Sequence, residues 1–125
     1  MLLDAPRILL ADDEETFRRS TARLFEQEGY CCDCAVDSDE ANRLLTREHD
    51  VLVSDIRMPG YTGMDVLVGL RRALGSTPVI LITAFGDEAT HELARSMGAV
   101  AVLDKPFDVD ALTAAVSNAL AHSLS

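Results

Sequence analysis

A chain of 125 residues is about one domain's worth, and 48% hydrophobic with 26% charged residues fits a globular domain better than a disordered or fibrous one. Its 21 acidic against 11 basic residues leave a formal net charge of −10, which excludes an electrostatic grip on phosphate backbones and hence direct nucleic-acid contact. The longest apolar runs, such as Val79-Ile80-Leu81-Ile82, fall far short of the roughly 20 residues a membrane span needs; Asp4 interrupts the start before an apolar leader can form, so a cytoplasmic location without a membrane partner is expected.

In chain order, Arg7-Ile8-Leu9-Leu10-Ala11 reads as a first strand, and the spacing of Phe17, Thr21, Leu24 and Phe25 predicts a helix over 14–28 that Gly29 stops. A second strand follows over 30–36. After the cap residues Asp37-Ser38-Asp39, the positions Ala41, Leu44, Leu45 and Glu48 mark a second helix. Cys31, Cys32 and Cys34 all fall in the second strand, where consecutive side chains face opposite sides and no further Cys or His pair completes a metal site. They are read as buried strand residues rather than as a metal or redox centre.

Residues 51–54 form a third strand that runs into Asp55 and a Pro59-Gly60 turn. Beyond Gly63, the positions Val66, Leu67, Leu70 and Leu74 outline a third helix, and Gly75-Ser76-Thr77-Pro78 breaks it before a fourth strand at 79–83. A fourth helix over 87–97 ends at Gly98, a fifth strand covers 100–103, and Asp108 caps a final helix carrying Val109, Leu112, Val116 and Leu120. Strands that are continuously apolar and alternate with helices imply right-handed crossovers and a parallel sheet covered on both faces. The expected fold is α/β: a flavodoxin-like three-layer sandwich, with a five-stranded parallel sheet in order 2-1-3-4-5 and five helices, in a single domain over 1–125.

In that order the sheet reverses between the first and third strands and opens a crevice at their carboxyl ends. Asp12 and Asp13 follow the first strand, Asp55 the third, Thr83 the fourth and Lys105 the fifth. Each has an ordinary reading alone: Asp12-Asp13-Glu14 as helix-start charge, Lys105 as a solvated lysine. Their joint placement at one sheet edge makes them a candidate site. His49, His91 and His122 are scattered along the chain and receive no role.

These motifs, from Asp12-Asp13 through Ser54-Asp55-Ile56-Arg57-Met58-Pro59-Gly60 and Thr83-Ala84 to Lys105-Pro106-Phe107, resemble the receiver domain of two-component response regulators over essentially the whole chain. Asp104-Lys105-Pro106-Phe107-Asp108 is most similar to receivers of multidomain transcriptional regulators. The resemblance implies that Asp55 is the phosphoacceptor and attacks a phosphohistidine on a kinase. It further implies that Asp13 and Asp55 ligate Mg²⁺ directly, that Asp12 acts partly through water, and that the backbone carbonyl of Arg57 adds a ligand. The chemistry agrees: close carboxylates repel by about 4 kcal/mol per pair at a surface-like dielectric, and hard oxygen donors without Cys or His favour Mg²⁺.

By the same resemblance Lys105 supplies a second positive charge and Thr83 a hydrogen bond to the phosphoryl group. A cis Lys105-Pro106 peptide would fix the lysine, while Pro59 and Gly63 shape the loop beyond Asp55. The chain would be a signalling phosphoacceptor that catalyses its own phosphorylation and dephosphorylation rather than a conventional enzyme. In the family, Thr83 is usually coupled to an aromatic residue three positions before the lysine; here Val102 stands there, with no ring to swing. The expectation is that the 84–86 loop, with Phe85, and the fourth helix reorganise directly.

A haloacid-dehalogenase-like phosphatase needs a second aspartate where this chain has Arg57. A degenerate receiver acting by contact alone is opposed by the full set of Asp12, Asp13, Asp55, Thr83 and Lys105, and flavin binding by the lack of a phosphate loop after the first strand. The partners implied are a sensor histidine kinase or phosphotransfer protein, docking near Glu15, Arg18 and Arg19, and an output domain or second receiver, including a homodimer, on the face of the fourth and fifth helices. Either a stand-alone receiver or a piece of a longer regulator fits, and the Lys105-Pro106-Phe107-Asp108 segment favours the longer parent.

Overall fold

The computed structural model describes residues 5–44, 49–55, 77–84, 88–96 and 98–123. The apolar runs become strands β1 (Arg7–Ala11), β2 (Cys31–Ala35), β3 (Val51–Asp55), β4 (Val79–Thr83) and β5 (Ala101–Asp104). They pair in parallel as one sheet in the order β2-β1-β3-β4-β5. The three inner strands are buried almost throughout, which is why they carry no polar alternation until their last residues.

Among the described residues four helices cover the sheet: α1 (Glu15–Gln27), α2 (Ser38–Leu44), α3 (Glu88–Ser96) and α4 (Val109–Ser123). The third helix expected from Val66 to Leu74 lies outside the described residues, as do Leu45 and Glu48 of the second. On one face Leu9, Leu52, Leu81 and Val102 pack with Ala41 of α2 and Ala94 of α3. On the other Ile8, Leu10, Val53 and Ile80 pack with Phe25 of α1 and with Leu112 and Val116 of α4. Each fully buried Leu, Ile or Phe side chain contributes about 1.5–3 kcal/mol of transfer free energy, so the two clusters set the layers.

Local chemistry sets the helix limits. Gly29 and Gly98 sit just past the ends of α1 and α3 at φ +94° and +104°, a conformation that costs a residue with a Cβ. Asp37 Oδ1 accepts from the Glu40 amide at 2.8 Å, and Glu40 Oε1 accepts from the Val36 amide at 3.0 Å, a reciprocal cap that starts α2. Asp108 Oδ1 accepts from the Asp110 amide at 3.2 Å at the start of α4. No helix among the described residues is long and apolar enough to cross a membrane.

The buried-strand reading of the cysteines does not hold: Cys31 is exposed, and Cys32 and Cys34 are only half-buried. β2 is an edge strand with a neighbour on one side only, so its residues keep contact with solvent.

His49, without a role in the sequence, is buried, and its Nε2 lies 2.7 Å from Asp33 Oδ2, which also accepts from Arg7 Nη2 at 2.8 Å. This triad ties β1, β2 and the entry to β3 at the end of the sheet opposite the candidate site. The His49 hydrogen bond, ahead of the Arg7 guanidinium, holds the Asp33 carboxyl below its ordinary pKa against an opposing burial cost. A depressed folded pKa gives stability that is present above the unfolded value near 3.8 and lost as pH falls through the folded one. Asp33→Asn should therefore lower the urea midpoint at neutral pH, and the gap to wild type should close in strong acid. With the Asp33 side chain 40% exposed, solvent screening keeps the difference within about 1 kcal/mol. A gap that persists unchanged at pH 2 would remove the carboxylate as its cause.

Candidate functional site

Every predicted site residue within the described segments lies at the carboxyl edge of the sheet. Asp12 directly follows β1, Asp55 is the last residue of β3, Thr83 the last of β4, and Lys105 directly follows β5. The sequence placed Asp55 just after its strand; the ladder holds it inside, opposite Ile82, which fixes its backbone more firmly than a loop would. Asp12, Asp55 and Thr83 are buried, at 0%, 8% and 3% exposure, and Asp13 faces solvent. Arg57 lies outside the described residues, as do Phe85, Pro59 and Gly63.

The Lys105 ammonium joins the site. Its Nζ donates to Asp12 Oδ2 at 3.0 Å and to Asp55 Oδ2 at 3.2 Å, bridging residues 93 and 50 positions away in the chain. Burial works against the ammonium's charge, yet the Asp12 carboxylate, followed by that of Asp55, outweighs it and raises the lysine's pKa. The Lys105-Pro106 bond is cis, as anticipated, and the Lys105 amide donates to the Thr83 carbonyl at 2.8 Å, joining the tips of β4 and β5.

Asp12 has a second task. Its Oδ1 accepts from the Glu14 amide at 2.8 Å, and its backbone carbonyl accepts from Arg18 Nη1 at 2.9 Å. Glu14, at the cap position of α1, makes no side-chain cap bond of its own. The helix-start reading and the site reading of Asp12 are therefore both realised, one oxygen for each.

Asp12, Asp13 and Asp55 can each present a carboxylate oxygen within 4.8 Å of the others. Three hard oxygen donors suit Mg²⁺, and among the described residues the Lys105 ammonium leaves the charge of three carboxylates only partly balanced, so the donor set fits a divalent cation.

Sequence reading missed the aromatic side of the site. Lys105 Nζ stands 4.1 Å from the centroid of the Phe17 ring, and Phe17 meets Phe107 edge-on at 5.7 Å and 86°. A shallow cavity of about 390 Å³ opens here, lined by Glu14, Phe17, Lys105, Pro106 and Phe107. Its spacing marks Phe17 only as part of the apolar stripe of its helix, and nothing in that periodicity reveals a cation above the ring. His91, also without a role in the sequence, has Nε2 2.8 Å from Asp104 Oδ1, tying α3 to the residue before Lys105. Of the charges expected to dock a kinase, Arg18 is engaged by the Asp12 carbonyl, and Arg19 pairs with Glu15 at 3.4 Å on an exposed face.

Comparison with known proteins agrees with this fold. The family model for the response regulator receiver domain matches residues 8–117. The regulatory protein AtoC of Escherichia coli K12 is 39% identical over 115 residues, which are 91% of this chain and 25% of AtoC. The chain spans a quarter to a half of the first curated relatives it matches. A receiver-domain structure from Clostridium thermocellum superposes with a TM-score of 0.89 at 32% identity, covering 94% of this chain and 96% of that one. The beryllofluoride-activated NtrC4 receiver dimer does so with a TM-score of 0.87 at 31% identity, covering 93% and 97%. The chain belongs to the response regulator receiver domain family.

Proposed function

We propose that this receiver takes a phosphoryl group onto Asp55 from a phosphohistidine of a sensor kinase or phosphotransfer protein, and that the modification switches the surface around α3, β5 and α4. The observation that carries the reading is the Lys105 ammonium held between Asp12 and Asp55 at 3.0 and 3.2 Å. It places a cation beside a nucleophile that is 8% exposed, the arrangement phosphoryl transfer needs. An Asp55 carboxylate oxygen attacks phosphorus, the phosphorus–nitrogen bond breaks, and the imidazole leaves with the donor. Hydrolysis of the acyl phosphate later restores the carboxylate, so the domain promotes both halves of its own cycle.

Asp12, Asp13 and Asp55 would hold Mg²⁺, with the Arg57 carbonyl as a further proposed ligand. When bound, the ion would supply charge neutralisation for the migrating group. Lys105 holds phosphoryl oxygens from the other side, and the Thr83 hydroxyl at the end of β4 donates to one of them. The added charge, up to about two negative units, draws these groups inward.

Val102 is 7% exposed and packs in the cluster that includes Ala94 of α3. The movement would therefore reach α3 through the loop that follows Thr83, with no swinging ring at position 102. The partner on that face would be an output domain or a second receiver; the NtrC4 receiver dimer named above supports a homodimer. AtoC is named as a regulatory protein, and the transcriptional regulatory protein CpxR of Escherichia coli K12 is 37% identical over 117 residues, 94% of this chain and 50% of CpxR, which supports the control of transcription by a longer, cytoplasmic parent in which this chain forms one domain.

The test is to titrate the chain with beryllofluoride, with and without Mg²⁺, following amide NMR shifts and elution on size exclusion. Binding that needs Mg²⁺ and shifts spreading from Asp55 into Glu88–Ser96 and Ala101–Asp104 are expected. No binding with Mg²⁺ present would leave a module that signals by contact alone.

Phe17 offers a finer test. A cation over an aromatic face is worth about 0.5–1 kcal/mol at a partly exposed site, so Phe17→Leu, which keeps apolar bulk without the π face, should change beryllofluoride affinity by about two- to five-fold. An equal change in a chain that already carries Lys105→Met would show that the ring acts by packing alone.

A further inference from the structure

Little holds α3 to the sheet. Of its residues whose burial is described, Ala94 alone is buried, as one methyl group in the cluster around Leu81 and Val102, while Leu93 stays 54% exposed. Among the described residues, the side chain that crosses from this helix to the sheet with a hydrogen bond is His91, whose Nε2 lies 2.8 Å from Asp104 Oδ1. A segment with few buried apolar contacts sits at the low end of local stability, so one polar contact weighs more here than it would on α1.

The other end of the contact is fixed. Asp104 is the last residue of β5, in register with Thr83 at the end of β4, and just beyond it the Lys105 amide donates to the Thr83 carbonyl at 2.8 Å. Side chains two apart on a strand share a face. Thr83 therefore lies on the face of Leu81 and Asp104 on that of Val102, and Leu81 and Val102 both belong to the cluster beneath α3. Thr83, which the phosphoryl group would draw inward, and Asp104, which holds α3, are neighbours on one face at the rim of the crevice.

We propose that the His91–Asp104 pair is a latch that holds α3 in its resting position and is released when Asp55 is modified. This rests on the phosphoryl-transfer reading above and names the contact that opposes the switch. A hydrogen bond of 2.8 Å is lost by about 3.6 Å, whereas helix shifts in switching proteins run to about 1–2 Å. Movement of α3 over a sheet whose strand tips stay paired therefore breaks the contact.

Whatever the pair contributes favours the resting state alone. Its loss tips the equilibrium toward the switched state and raises the apparent affinity for a ligand that selects that state. With the His91 and Asp104 side chains 19% and 49% exposed, the pair ranks with surface contacts, and the gain in affinity is about two- to five-fold.

The test measures beryllofluoride affinity with Mg²⁺ present, by amide NMR, for wild type, His91→Ala, Asp104→Ala and the double variant. His91→Ala should bind about two- to five-fold more tightly, and in its ligand-free spectrum the amides of Glu88–Ser96 should lie part of the way toward their bound positions. Asp104→Ala also removes a negative charge near the anion, which tightens binding by itself, so the pair is read from the cycle: His91→Ala should give no further gain in a chain that already carries Asp104→Ala. No binding by wild type would overturn the phosphoryl-transfer reading and the latch with it. Wild-type binding that His91→Ala leaves unchanged or weakens would overturn the latch alone, and so would an equal gain from His91→Ala with and without Asp104.

Discussion

An Asp55→Asn chain should take up no phosphoryl group from acetyl phosphate or from a kinase, and the loss should come without unfolding. The amide has neither the charge nor the nucleophilic oxygen pair of the carboxylate. It keeps the shape of a residue that is 8% exposed at the end of an inner strand, opposite Ile82. Lys105 retains Asp12 as a partner at 3.0 Å, so the ammonium is not stranded. Removal of one of three mutually repelling carboxylates should leave urea stability equal to wild type or higher by about 1 kcal/mol. Intact mass after acetyl phosphate treatment, with and without Mg²⁺, is the readout. A phosphorylated product that maps to Asp12 or Asp13 would show that the nucleophile had been wrongly chosen.

Lys105→Met should have the largest effect on stability. The ammonium is the cation between Asp12, with no side-chain exposure, and Asp55, at 10%. Removing one partner of a buried ion pair leaves the other charge without compensation, which costs about 3–5 kcal/mol. The lysine side chain is 20% exposed, so a loss of about 3 kcal/mol, at the low end of that range, is expected in urea without divalent ions. Mg²⁺ should restore much of it, since a cation held by the same carboxylates replaces the missing charge. A loss that Mg²⁺ does not reduce would mean that the contact of the ammonium with the Phe17 ring, rather than its charge beside the carboxylates, accounts for the effect.

Sheet order and most element limits were legible because a parallel sheet buried on both faces writes its strands as unbroken apolar runs and its helices as periodic stripes. The polar residues that end those runs, Asp55 and Thr83, stand out for the same reason. What the sequence concealed depends on distances between remote residues. Asp33 meets His49 and Asp104 meets His91, but neither pairing leaves a periodic trace, so both histidines looked unattached. The cysteines misled because an edge strand and an inner strand can share an apolar composition; exposure follows from the position of β2 in the sheet, not from its residues. Phe17 was legible as a helix-face residue and illegible as the floor beneath Lys105, since the ring serves both at once.

The divided duty of Asp12 has a practical side for anyone who alters this domain. One carboxylate oxygen holds the Glu14 amide that opens α1, and the other holds Lys105. A substitution there would disturb a secondary-structure boundary and the proposed reactive centre together, and an activity assay alone would credit the whole loss to chemistry. On the proposed reading, Asp13, in the same carboxylate group but exposed to solvent, would be the position at which cation affinity could be tuned while the architecture stays intact. Engineering of the signalling threshold would do best to start there.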